Sequence, residues 1–86
     1  MATSLIAFTL GRTVGTDQIL AAGTVETLQG IFRGRNGRVT VEIKGSDNSY
    51  TTIGYLNPAS VDTRSRQLTG PLIYRVTTRN AGCDKG

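Results

Sequence analysis

Arginine is the residue type with the most chemistry to offer in this chain. Eight arginines and two lysines stand against six acids, a formal net charge of +4 over 86 residues. A guanidinium is planar, always charged, and presents a fork of N–H donors that fits phosphates and carboxylates. The groups that most enzymes need are missing or isolated. There is no histidine, the commonest general base and a common metal ligand. The single cysteine, Cys83, lies in a glycine-flanked tail with nothing to activate it, so it reads as an inert or packing thiol. Gly45-Ser46-Asp47-Asn48-Ser49 has the composition of a turn and lacks the spacing of a calcium loop. Gly34-Arg35-Asn36-Gly37-Arg38 is no phosphate loop, because neither a helix signal nor Gly-Lys-Ser/Thr follows it. These features predict a non-enzymatic protein without metal or cofactor.

The cations are unevenly placed. Residues 30–44 and 61–80 each sum to +3, whereas residues 1–29 and 45–60 each sum to −1. Residues 29–44 read as a β-hairpin, because Asn36-Gly37 suits a type I′ turn with positive φ at both central residues. A turn centred there pairs Arg35 with Arg38, Arg33 with Thr40 and Phe32 with Val41. Strand alternation then sorts the side chains. Phe32, Val39, Val41 and Ile43 make an apolar face; Arg33, Arg35, Arg38, Thr40, Glu42 and Lys44 make a cationic one. Arg35 opposite Arg38 is a like-charge pair, destabilising unless compensated. The stretch Leu72 to Arg79 divides in the same way, with Ile73, Arg75, Thr77 and Arg79 on its outer side. Arg33, Arg35, Arg38, Lys44, Arg75 and Arg79 are therefore the candidate residues for nucleic acid or another polyanion. Tyrosines can stack on bases, but alternation sets Tyr55 and Tyr74 on the apolar side and predicts them in the core.

The elements that must carry these residues follow from the pattern. Ser4 to Leu10 is a strand with Ile6, Phe8 and Leu10 on one face, and residues 11–15 a turn. Residues 16–23 are predicted extended, since a helix there has under two turns and is marginal alone. Thr24 to Leu28 is a further strand leading into the hairpin. Tyr50 to Leu56 is the next. A three-residue loop, Ser46 to Asn48, sets Ile53 opposite Val41 and Tyr55 opposite Val39. That completes the apolar face, and a two-residue loop does not. Residues 62–70 read as a polar connection, and residues 80–86 show no periodicity. The expectation is an all-β antiparallel meander of five or six strands, as a sheet or small barrel, with one β domain over 1–79 and a C-terminal tail over 80–86. So small a domain buries a limited core, and one cysteine allows no internal disulfide. A strand set with one apolar face predicts a homo-oligomer, with residues 1–10 or 72–86 reaching a neighbour. No apolar run approaches the roughly 18 residues of a membrane span, which predicts no membrane partner.

The opening Met1-Ala2-Thr3-Ser4-Leu5, the lack of histidine, the Thr/Val/Gly-rich strands and Gly70-Pro71-Leu72-Ile73-Tyr74-Arg75-Val76 resemble small bacteriophage virion proteins. The first 56 residues also resemble the β-meander of single-stranded RNA phage coat proteins, whose polar sheet face meets RNA. Those coats end in helices that clasp a partner, and this chain has none to follow. Capsid decoration proteins are likewise short, β-rich and oligomeric. The resemblance implies a virion structural subunit, of capsid, coat or decoration type, assembled with other virion proteins in a host cytoplasm. Its arginine face would meet genome or a neighbouring subunit. The alternative is a stand-alone nucleic-acid-binding β-barrel module.

Overall fold

The last strand is the axis of the fold. The computed structural model describes residues 3–86 and contains seven strands: β1 (Thr3–Val14), β2 (Gln18–Leu20), β3 (Val25–Ile31), β4 (Arg38–Lys44), β5 (Tyr50–Leu56), β6 (Ser65–Thr69) and β7 (Leu72–Lys85). A short 3-10 turn, Asp62–Arg64, precedes β6. All pairings are antiparallel, as the alternation predicts. β7 runs through the middle, and four strands pair with it directly. On one edge lie β1 and β2. On the other, β4 pairs with residues 74–79 and β3 with residues 82–85. β5 then extends β4, and β6 extends β3. The sheet curls into half a barrel and encloses its own apolar face. Among the described residues no helix is long and apolar enough to cross a membrane.

The inner face is the one the alternation selects. Val39, Val41, Tyr74 and Val76 are buried, together with Ile6, Leu20, Leu28, Leu56 and Leu68. Phe32, Ile43 and Ile53 pack against them. Burying a side chain of this size contributes roughly 1.5–3 kcal/mol each.

The expected hairpin at Asn36-Gly37 does not form. β3 and β4 follow one another along the same edge of β7, β4 beside residues 74–79 and β3 beside residues 82–85, and residues 32–37 link them along that edge. Neither Asn36 nor Gly37 has positive φ; that conformation is taken by Gly23, Asn48 and Asn80. Gly37 is required for a different reason. A Cβ there would lie 2.5 Å from the Asn80 carbonyl oxygen and 2.6 Å from the Phe32 ring. A Cβ on Gly30 would strike the same ring. The two glycines form the seat of Phe32, which covers the point where β7 changes partner from β4 to β3. Gly37→Ala is expected to destabilise the protein by roughly 1–3 kcal/mol through overpacking, read as a lower denaturant midpoint. Asn36→Ala, at an exposed site without positive φ, should leave it near wild type.

Other expectations are corrected by the same pairing. β1 does not stop at Leu10 for a turn; it runs to Val14, with register shifts between Ser4 and Ile6, Ile6 and Thr9, and Thr9 and Arg12. These bulges break the alternation, so Ile6 is buried while Leu10 is 76% exposed. Met1 and Ala2, part of the segment expected to reach a neighbour, lie outside the described residues. The polar connection contains β6, whose Leu68 enters the core. Residues 80–85 are no tail: they continue β7, and Ala81, Gly82 and Cys83 are buried. The β4–β5 loop is the expected three-residue one, with Asn48 at φ 67. Its register holds from Lys44↔Tyr50 to Glu42↔Thr52 and then shifts by one residue. Beyond the shift Leu56, not Tyr55, faces Val39, and Tyr55 turns outward.

Candidate functional site

The pairing of the first and last strands brings together arginines far apart in sequence. Arg79 on β7 is the register partner of Arg12 on β1 and of Arg38 on β4. Directly opposite residues in an antiparallel sheet share a face, with Cα atoms about 5 Å apart. Three arginines therefore stand abreast in one rung across three strands. All three are exposed. Among the described residues none has a carboxylate within 4.0 Å. Arg38 lies over the Tyr55 ring, 5.0 Å from its centre.

The basic surface continues from Arg38. A shallow cavity beside it is lined by Arg35, Arg38, Tyr55 and Pro58. Next to that lies an open cleft of about 790 Å³ that holds Arg33, Arg35 and Arg64 around Phe32 and Pro58. Arg33 stacks on Phe8 at 4.4 Å, and Arg64 donates to the Pro58 carbonyl at 3.3 Å. Six arginines thus form a track joined by shared cavities: Arg64, Arg33, Arg35, Arg38, Arg79 and Arg12. Arg66 stands apart, donating to the Ile53 carbonyl at 3.3 Å over Gly54.

Two of the sequence candidates belong to another arrangement. Arg75 donates to Glu42 at 3.2 Å and lies 3.5 Å from the centre of the Tyr50 ring. Thr77 donates to the same Glu42 oxygen at 3.0 Å. Lys44 donates to Asp17 at 3.1 Å, and the Tyr50 hydroxyl donates to Asp17 at 2.6 Å. Lys44 and Arg75 therefore neutralise acids in a network that ties the β1–β2 connection to the turn end of the β4–β5 ribbon. They are less open to an outside anion than the rung. Arg33, Arg35, Arg38 and Arg79 lie on the track, which adds Arg12 and Arg64. Sequence reasoning missed both. Arg12 sat in an expected turn and Arg64 in an expected connection, and only the β1–β7 register aligns Arg12 with Arg79.

The Tyr50 hydrogen bond, and after it the Lys44 ammonium, hold the Asp17 carboxyl below the usual aspartate range. Its ionised form is favoured in the folded state. The resulting stabilisation is present above the unfolded pKa and is lost as pH falls through the lower folded value. Tyr50→Phe removes the largest cause, so Asp17 should titrate at higher pH, observable in the NMR titration of its carboxyl carbon.

The remaining groups that could carry chemistry are structural. Tyr74 is buried, donates to Glu26, and is pushed up mainly by burial, then by that carboxylate. Lys85 reaches Gln18 at 3.0 Å and Glu26 at 3.9 Å. Burial, with a smaller effect of Asp84, pushes the Cys83 thiol up to about 12, which keeps it protonated and unreactive at neutral pH. Among the described residues no three His, Cys, Asp or Glu side chains form a group that could hold a metal ion. The chemistry the surface offers is multivalent binding of anions by guanidinium groups. Compared with protein families, curated proteins and solved structures, the chain finds no match.

Proposed function

We propose that this protein is a non-enzymatic structural subunit of a virus particle that contacts the packaged nucleic acid through its arginine track. One observation carries the nucleic-acid half: Arg12, Arg79 and Arg38 stand abreast without an acidic partner among the described residues. Like charges directly opposite in a sheet are destabilising. A chain of phosphates offsets that repulsion, and each guanidinium can meet a phosphate in its fork geometry. The virion half is supported by the resemblance to small bacteriophage structural proteins.

A stand-alone nucleic-acid-binding module is the second reading. It is favoured by the curl of the sheet, which covers the apolar face without a second copy.

Binding of a labelled oligonucleotide across a salt series tests the shared part. The logarithm of the affinity should fall linearly with the logarithm of salt, by roughly 0.7–0.9 per phosphate neutralised. Changing Arg12, Arg38 and Arg79 together to Gln should reduce that slope by about 2–3. Absence of binding, or binding indifferent to salt, overturns the proposal. Sedimentation over a concentration series separates the two settings. Oligomers or particles support the virion subunit, and a monomer at every concentration supports the module.

A further inference from the structure

We infer that the track takes a single strand rather than a duplex, with Tyr55 as the platform on which an unpaired base stacks; this rests on the nucleic-acid reading above. Tyr55 faces outward because of the register shift after Glu42↔Thr52, which puts Leu56 into the core instead. Of the aromatic residues it alone is exposed, at 52%. Tyr74 is buried, Tyr50 is held between Asp17 and Arg75, Phe8 lies under Arg33, and Phe32 is seated on Gly30 and Gly37. Tyr55 is next to the rung, with the Arg38 guanidinium over its ring. A cationic path beside an exposed ring is the pairing that single-strand binders use. The cations follow the backbone, and each base presents a face to the ring.

A duplex fits this surface poorly. Its base faces are stacked away, so Tyr55 would have no partner. Its major groove admits a helix or a two-stranded ribbon. The helical content described is the three-residue turn Asp62–Arg64. The β4–β5 ribbon turns through Ser46, Asp47 and Asn48, which bring a carboxylate and no cation. The arginines lie instead across the flat of the sheet, over a width of roughly 10 Å from β1 to β4 at the usual strand spacing.

The test is fluorescence anisotropy with a mixed-sequence single-stranded oligonucleotide and the matched duplex, at equal phosphate concentration and ionic strength. The single strand should bind more tightly. Tyr55→Ala should weaken single-strand binding roughly 5- to 150-fold, the effect of losing one stacked base. Tyr55→Leu, which keeps bulk without an aromatic face, should show the same loss, and Tyr55→Phe should match wild type. Duplex binding should be indifferent to all three. Circular dichroism of each variant checks that the fold is retained. Equal affinity for both forms, or unchanged single-strand affinity in Tyr55→Ala and Tyr55→Leu, overturns the inference and leaves the nucleic-acid reading standing. Failure of the wild type to bind either form overturns both.

Discussion

Ending the chain at Arg79 should abolish folding altogether. Residues 80–86 look dispensable in sequence, but residues 82–85 are bonded on one edge to β3 and the same end of β7 to β1 on the other. Truncation removes buried Ala81 and Cys83 and leaves two strands with unpaired edges. An unpaired backbone group away from water costs about as much as a lost hydrogen bond, roughly 1–3 kcal/mol, and several such groups together with the lost burial rival the roughly 5–15 kcal/mol that stabilises a typical domain. The truncated protein should lack the β-sheet circular dichroism signal and any cooperative melting. A truncated chain that melts cooperatively near the wild-type temperature would take β7 out of the centre of the sheet. Gly82→Val probes the same point within the full chain. A Cβ at Gly82 would lie 2.7 Å from the Phe8 amide nitrogen and 2.8 Å from the Ile6 carbonyl oxygen. Both are backbone atoms, so β1 itself would have to move away.

Val41→Asp should also unfold the protein, whereas Thr40→Asp should not. Val41 has no exposed surface and faces the enclosed side of the sheet, with Val76 and Gly54 as register partners. An uncompensated buried charge costs several kcal/mol, a large share of the stability of so small a domain. Thr40 points the other way, onto the face that carries Arg38 and Arg79. An aspartate there gains nearby cations and should keep the native melting transition. It should also weaken polyanion binding, by putting a negative charge beside the rung. Denaturant unfolding of the two variants side by side reads out which face of β4 is inside. Equal stability of the pair would mean that the face is wrongly assigned.

The sequence by itself determined the class of structure and the inside of its best strands. Val39, Val41 and Ile43 alternate with Thr40, Glu42 and Lys44, and a period of two allows one buried face and one wet face. Tyr74 and Val76 alternate in the same way with Arg75 and Thr77, although Thr77 is itself covered. The turn at Ser46–Asn48 was legible because asparagine tolerates positive φ, and Asn48 takes it. Arg33, Arg35, Arg38 and Arg79 were legible as exposed cations because charged side chains are almost never buried unpaired.

Which strands are neighbours was decided only by the tertiary structure. Asn36-Gly37 carries the local signal of a hairpin, but local preference for a turn is small beside the burial gained when β3 and β4 both pair with β7 along one edge instead of with each other. Ala81-Gly82-Cys83 has the look of a loop because its residues are small and do not alternate. A strand packed closely on both sides needs small residues for that very reason: Gly82 lets the β1 backbone approach, and Cys83 fills space without any exposed surface. Arg12 joins Arg79 and Arg38 through pairings between the two ends of the chain, separations over which no periodicity in the sequence extends. Tyr55 faces outward because one residue is bulged at Ile53, and a one-residue shift exchanges the two faces of a strand. Residue types therefore fixed what the regular strands β4 and β7 bury, while the inward faces of the bulged strands β1 and β5, and with them the rung and its neighbouring ring, exist only through long-range register, which is set by packing the whole sheet at once.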